Sequence, residues 1–440
     1  MGDRTFRGGV HPDGWKELTK EIPLTPYAPV GDLVFMTSQH IGKPAVPVVK
    51  KGDPVLVGQI IAEASGFISA NVVSSVSGTV KAIEPRPTAT GAMGQAIVVA
   101  NDGAYTTVEG FGQETDVASL SNQEILNRVK AAGIVGMGGA GFPTNVKLSP
   151  KEPDKIRYVI ANGAECEPCI TCDDQLMRTK ASEIVGGMEI MLRLFPNAKG
   201  VIVIEKNKPE AIAAMQAACS GNISVMPVQT KYPQGGERSL IKVVADISIK
   251  ATQLPADVGC VVDNVATIRA IYRAVKWNEA LIERSVTVSG DAVVNPGNFM
   301  VRVGTVASEL VEACGGLKEG TRKILFGGPM MGIALPTLDC AICKNNNAIT
   351  ALTFDEVEEA EANMTACLRC GRCSRVCPLG LSPQLMQVAA NRKDYERYEK
   401  KLYGLECIAC GCCSYICPAR RPLMQLFKLT KAEIMAAKKR

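Results

Sequence analysis

Eight of the chain's 17 cysteines fall into two copies of one spacing. Cys367, Cys370, Cys373 and Cys377-Pro378 read C-x2-C-x2-C-x3-C-P, and Cys407, Cys410, Cys413 and Cys417-Pro418 repeat the pattern forty residues later. Three thiolates so spaced wrap a tight loop around one 4Fe–4S cube, and the fourth reaches across to the neighbouring cube in two-cluster ferredoxins. The spacing therefore assigns one cluster to Cys367, Cys370, Cys373 and Cys417, and a second to Cys407, Cys410, Cys413 and Cys377. Gly371 and Gly411 sit in the loops, where backbone must turn closely around inorganic sulfide. The alternative is a pair of zinc knuckles, but zinc prefers two separated Cys pairs. Cys412 breaks the repeat and reads as a non-ligand thiol. Arg369, Arg372, Arg375, Arg420 and Arg421 surround the motifs. They are either a solvated basic surface or a group that docks an acidic redox partner or tunes cluster potential.

Two such clusters form a one-electron wire, and hydrides do not travel through them. A chain serving a nicotinamide would need a flavin to split two electrons into single ones. The densest glycine segment, Gly136-Met137-Gly138-Gly139-Ala140-Gly141-Phe142-Pro143-Thr144, is where a phosphate could be held. Successive N–H groups in such a loop form an anion nest, and Lys147 lies nearby to add charge. A plain turn is the other reading. No strong strand precedes it and Pro143 opposes a helix opening there, so it is not a standard dinucleotide turn. Cys166, Cys169 and Cys172 also show C-x2-C-x2-C without a following Cys-Pro, and read as three isolated thiols. Cys340 and Cys343 make a pair without strong context.

Composition removes other classes. Net charge is +5, from 49 basic and 44 acidic residues, too balanced for a nucleic-acid binder. Aromatics are only 5%, too few for a base-stacking platform. Only two histidines, His11 and His40, leave little room for a His-rich metal site or a Ser-His-Asp triad. No apolar run approaches the roughly 18–20 residues that span a bilayer. The first residues lack a signal-peptide core, so a cytosolic setting is expected, and there thiols favour metal over disulfides.

The length of 440 residues predicts roughly three domains to position these groups. Residues 1–24 read as an irregular arm broken by Gly8, Gly9, Pro12, Gly14 and Pro23. Short Val/Ile runs (46–49, 55–57, 60–62, 72–76, 80–83, 96–99) predict a small β-sandwich over 25–105. Ser121 with Glu124 predicts a capping box, and Gly133 the end of that helix. From there strands at 158–161, 201–204 and 225–228 alternate with helices across 174–194 and 209–218, and a further helix–strand passage runs from 236 to 277. Alternation of this kind over 118–280 is an α/β layer. Short elements return at 285–335, a linker is expected at 336–355, and a Cys-rich helical domain at 356–440. The fold class is multidomain α/β.

GMGGAGFPTNVKL closely resembles the FMN-binding loop of the 51-kDa-type flavoprotein subunit of respiratory complex I. Asn162-Gly163-Ala164-Glu165-Cys166-Glu167-Pro168 resembles its acidic loop, Tyr232-Pro233-Gln234-Gly235-Gly236-Glu237 its nicotinamide loop, and Asp263-Asn264-Val265-Ala266-Thr267 its Asn-rich loop. With the FRGGVHP arm and the two-cluster tail, nearly the whole chain looks like the C subunits of Rnf complexes. Those assemblies couple ferredoxin and NAD to ion pumping.

The resemblance implies that Gly136, Gly138, Gly139, Gly141 and Lys147 hold the FMN phosphate. Asn162, Asn264 and Thr267 would contact the flavin or ribityl chain, and Phe142, Glu165, Glu167 and Glu237 would lie where NADH binds. The complex I loop has paired acids where this chain has Gly236-Glu237, and an Asp where it has Ala164. Residues 25–105 resemble a lipoyl-carrier sandwich whose hairpin, Gly66 to Asn71, lacks the modified lysine; 285–335 resembles a β-grasp (SLBB) module.

The resemblance further implies NAD(H)-dependent hydride transfer to FMN and single-electron transfer through two 4Fe–4S clusters. Side chains would position rather than catalyse. The chain would be a peripheral subunit on the cytoplasmic side of the cell membrane, bound to other Rnf subunits, including an iron–sulfur subunit that accepts ferredoxin electrons. Two alternatives share these modules: a relay and docking subunit without a nicotinamide site, and a cobalamin reductase, whose relatives lack the sandwich ahead of the glycine loop.

Overall fold

The computed structural model describes residues 4–438. In its α/β layer, strands Ile223–Val228, Lys199–Glu205, Tyr158–Gly163 and Cys260–Asn264 lie side by side in that order, all parallel. Parallel strands need crossovers, and helices then cover both faces. Alternation divides the strand residues accordingly. Val159, Ala161, Ile202 and Ile204 share one core with Met188 and Met191 of helix Ala181–Leu194 and with Ile268 and Ile271 of helix Val265–Trp277. Ile160, Val201, Val203 and Val262 point the other way, onto Leu240 and Ile241 of helix Glu237–Ala245. The Ser121 capping box forms, and Gly133 follows the helix at φ +66°. The single helix expected across 174–194 is two, Cys172–Thr179 and Ala181–Leu194, because Lys180 leaves the helical region at φ −129°, ψ 29°.

The sandwich pairs Leu33–Met36, Met93–Asn101, Gly78–Pro87 and Pro54–Val55 in one sheet, and Val46–Pro47, Ile60–Glu63 and Val72–Val73 in the other. Strand Leu33–Met36 is buried throughout because both its faces are used. Leu33 and Phe35 fill the sandwich with Ile61, Ile97 and Val99, whereas Val34 and Met36 pack towards Ala341.

The expected boundaries of the β-grasp module need two corrections. Residues 336–355 are not merely a linker: Ala348–Leu352 is a strand, buried at every position, between Glu283–Ser289 and Lys323–Phe326. Its five residues are buried on both faces and so show no alternation. At the edge of the same sheet, Leu24–Tyr27 pairs parallel with Gly297–Arg302, so the arm's end belongs here and not to the sandwich.

In the tail, helices Pro383–Asn391 and Leu423–Lys438 bury Met386, Ala390, Leu423 and Phe427 around Tyr398. Among the described residues, no helix is long and apolar enough to cross a membrane.

Candidate functional site

The tail's two cysteine runs line two small, partly open cavities. One is lined by Cys407, Cys410, Cys413 and Cys377, with Leu381, Met386, Met424 and Phe427. The other is lined by Cys367, Cys370, Cys373 and Cys417, with Arg369, Arg372 and Leu423. Each fourth thiol thus crosses to the other run's cavity, the same two sets that the spacing predicts. Among the described residues, no three His, Cys, Asp or Glu side chains converge as a single ion would require. Thiols spread around an apolar cavity suit a cube better than one tetrahedral zinc, whose four sulfurs must lie about 2.3 Å from a point. Gly371 and Gly411, at φ +71° and +81°, make the left-handed turns after the second cysteine of each run. The first cavity is the inner one: Cys410 is 8% exposed and packs with Val10, Tyr232 and Met330. The other is outer, with Cys367 and Cys370 exposed and Leu368 64% exposed. Cys412, the extra thiol, lines the inner cavity, and its Sγ faces the Tyr232 carbonyl at 3.9 Å.

The glycine loop and its partners gather at the C-terminal edge of the parallel sheet, where open α/β sheets bind ligands. Gly136 N–H donates to Phe142 O at 2.8 Å and closes the loop, while Met137 N–H donates to Thr267 Oγ1 at 2.9 Å. Gly138, Gly139 and Ala140 are exposed at the tip. A Cβ at Gly138 would lie 3.0 Å from that of Asn264, and one at Gly139 would meet open space. Asn264 and Asn162 end neighbouring strands. Asn264 Oδ1 caps helix Val265–Trp277 through Ala266 N–H, and its Nδ2 donates to Asp173 Oδ2 at 2.7 Å. Asn162 Nδ2 donates to Gly235 O at 2.9 Å, which ties the nicotinamide-type loop to the sheet edge. Lys147, which the resemblance implies helps hold the FMN phosphate, is ion-paired here, with Nζ 2.9 Å from Asp263 Oδ1 and 2.8 Å from Val262 O. Its attraction for an anion is offset by that carboxylate.

Glu165 is buried at φ +48°, accepting from Asp173 N–H at 2.7 Å. Burial, reinforced by Asp173 and Asp174, pushes its carboxyl up to about 8 against the pull of Lys16 and Lys208. Glu167 does not join this wall. Its Oε1 accepts from Met330 and Met331 N–H at 2.8 and 2.7 Å, so it braces the β-grasp turn. Glu237 stands exposed at the start of its helix, and Phe142 is half-buried.

Sequence reasoning missed several neighbours. Lys16 Nζ reaches from the arm to the carbonyls of Glu165, Glu167 and Ile170 at 2.6–3.1 Å. Lys208, 2% exposed, donates to Ala164 O at 2.8 Å. Gln39 and His40 of the sandwich back onto Gly141. No periodic signal marks such contacts. Around the same loops the buried Glu165 Oε2, Asp173 Oδ1, Asp263 Oδ2, Thr144 Oγ1 and both amide atoms of Gln234 lack hydrogen-bond partners. Buried polar atoms are rarely left unpaired, so this group fits a polar ligand such as a flavin nucleotide.

Comparison with known proteins agrees in order along the chain. Residues 4–104 match the RnfC barrel sandwich hybrid domain, 129–273 the Nuo51 FMN-binding domain, 285–334 the SLBB domain and 360–418 a 4Fe–4S dicluster domain. The C subunit of the proton-translocating ferredoxin:NAD(+) oxidoreductase complex of Clostridium ljungdahlii is 43% identical over 439 residues, covering 99% of this chain and 95% of the relative. Its counterpart from the Na(+)-translocating complex of Acetobacterium woodii is 38% identical over 438 residues, with coverage of 99% and 98%. The C subunit of the ion-translocating oxidoreductase complex of Rhodobacter capsulatus is 40% identical over 400 residues, with coverage of 89% and 76%. The chain belongs to the Rnf C-subunit family of ion-translocating oxidoreductase complexes.

Proposed function

We propose that this chain is the NAD(H)-facing subunit of an ion-translocating ferredoxin:NAD oxidoreductase complex, carrying FMN and two 4Fe–4S clusters. Bound flavin exchanges a hydride with the nicotinamide and single electrons with iron–sulfur centres. The chain's residues supply position, charge and exclusion of water. The N–H groups of Gly138, Gly139 and Gly141 form the phosphate cradle, which Gly136 closes through its bond to Phe142, with Lys147 behind it as one half of an ion pair. Thr267 holds the loop open through Met137, and Asn162 and Asn264 frame the ring side. Phe142, Glu165 and Glu237 line the approach of NADH, and Glu167 supports that wall from outside. Burial raises the Glu165 carboxyl, and Lys16 Nζ lies 3.9 Å from its Oε2, so the pair presents little net charge to an incoming anionic dinucleotide. Cys407, Cys410, Cys413 and Cys377 hold the inner cluster, and Cys367, Cys370, Cys373 and Cys417 the outer.

Attachment to the membrane runs through partner subunits, on the cytoplasmic side where NADH is found. The observation that carries this reading is the shared seam: the loop bearing Tyr232 and Gly235 touches both the flavin-type pocket and the inner thiol cavity. Anaerobic reconstitution followed by NADH titration tests it. Flavin absorbance should bleach first and cluster absorbance second, with one FMN and about eight irons per chain. Protein that holds iron and sulfide but no FMN would overturn it.

A further inference from the structure

Three segments far apart in the chain meet between the flavin-type pocket and the inner cavity. Tyr232, 2% exposed, donates its phenol hydrogen to the Cys410 carbonyl at 2.8 Å. Its backbone pairs both ways with Val10, each N–H to carbonyl distance being 2.9 Å. Gly9 N–H donates to Val376 O at 2.8 Å. Gly8, at φ +75°, lies so close to the tail that a Cβ would come 2.7 Å from the Cys377 carbonyl oxygen. Lys231 Nζ donates to Phe6 O at 2.6 Å and lies 4.4 Å from the centre of that buried ring. At the other end of the loop, Gly235 N–H donates to Cys166 Sγ at 3.3 Å while its carbonyl accepts from Asn162. Residues 231–235 therefore connect a flavin-pocket asparagine to a cysteine of the inner set.

We propose that residues 6–10 of the arm and Tyr232 form a latch that fixes the separation between flavin and inner cluster, and that Gly8 and Tyr232 are positioning residues for the electron step between them. The inference rests on the flavin and cluster reading above. Generic domain packing would spread its contacts over side chains of the tail. Side chains also meet here, with Val10 and Tyr232 packed on Val376, Ile408 and Ile416 and Arg238 paired with Glu406, but the contacts of the arm and Tyr232 to backbone reach Cys377 and Cys410, both of the inner set. Glycine is required at position 8 twice over, by its φ and by the close carbonyl. The phenol is the polar tether, its hydrogen given to the Cys410 carbonyl. In the step concerned, one electron leaves reduced flavin and one enters an oxidised cluster. The second electron follows once the outer cluster has taken the first, and the hydride-derived proton passes to solvent. Tunnelling falls steeply with distance, so a latch that holds the two centres together acts on this step and not on hydride transfer.

The test uses the holoprotein with flavin, iron and sulfide quantified, mixed anaerobically with NADH. Gly8→Ala and Tyr232→Phe are compared with wild type. Flavin bleaching should keep its wild-type rate and NADH dependence in Gly8→Ala; Tyr232→Phe, which lies in the nicotinamide-type loop, is read by its cluster rate relative to its own flavin rate. Cluster bleaching should slow by about tenfold in Gly8→Ala, as for an ångström-scale misplacement, and by less in Tyr232→Phe. Electron paramagnetic resonance should show weaker magnetic coupling between the one-electron-reduced flavin and the reduced inner cluster in both. If Gly8→Ala fails to load, Tyr232→Phe decides alone. Unchanged cluster bleaching and unchanged coupling in fully loaded variants would overturn the latch while leaving the flavin reading intact. A wild-type protein whose flavin is absent or is not bleached by NADH would overturn the underlying reading, and the latch with it.

Discussion

The inner and outer cysteine sets share one spacing and differ in nearly everything around them. Inner Cys410 is buried against Tyr232 and Val10, and its cavity is walled by Met386, Met424 and Phe427. Outer Cys367 and Cys370 lie at the surface beside exposed Arg369, Arg372 and Leu368. A sequence repeat is symmetric, and docking on the flavin-type module removes that symmetry. On the proposed reading, the set held against the module would exchange electrons with flavin and the exposed set with a partner. The cationic rim around the latter suits an acidic partner surface.

The sharpest way to break this contrast is to empty one site at a time. Cys410→Ala should halve the iron content and abolish NADH-driven reduction of the outer cluster. Cys370→Ala should also halve the iron but leave NADH-driven reduction of the inner cluster intact. Iron analysis and electron paramagnetic resonance read both, and loss of inner reduction in Cys370→Ala would reverse the order proposed.

Packing should show the next largest difference. Truncating Phe427, 2% exposed in the inner wall, should cost about 3–5 kcal/mol of tail stability in denaturant melts. Truncating Leu368 should change stability by no more than about 0.5 kcal/mol.

Reversing charge at the rim, with Arg369→Glu and Arg372→Glu, should slow association with an acidic redox partner by about tenfold at low salt. The difference should shrink as salt rises, and the flavin-to-inner step should be untouched. Stopped-flow at two ionic strengths separates these effects.

The smallest effect concerns pH. Glu167 braces Met330, whose carbonyl lies beside Gly411 of the inner loop. Burial lifts its carboxyl from the ordinary 4.5 to about 7 in spite of two backbone donors. The folded state thus holds the proton more tightly than the unfolded chain does. This contribution to stability is whole below about pH 4.5 and is lost as pH rises through about 7. Amide exchange at residues 328–331 should quicken from pH 5 to pH 8 beyond the intrinsic rate change, and Glu167→Gln should flatten that excess.

Much of the site was legible because it is local. Ligand spacing, the Ser121 capping box and the alternating layer all depend on residues within a few positions of one another. What escaped the sequence is long-range. The pairing of Lys147 with Asp263 spans more than a hundred residues, so the lysine looked available. Gly8 and Gly9 looked like chain breakers, although they are where backbone approaches backbone. Strand Ala348–Leu352, buried on both faces, carries no alternation and reads as a loop. Glu167 lies in a loop whose resemblance implies a place near NADH, yet its side chain accepts from Met330 and Met331.

The exchange of fourth thiols makes the tail an interlocked object. Cys377 lines the cavity of the later run, and Cys417 that of the earlier. A polypeptide emerging from the ribosome cannot complete the shell around Cys367, Cys370 and Cys373 until Cys417 has been made, although those three thiols emerge first. Cofactor insertion must therefore wait until Cys417 has been made, and proteolytic loss of either run would cripple both shells.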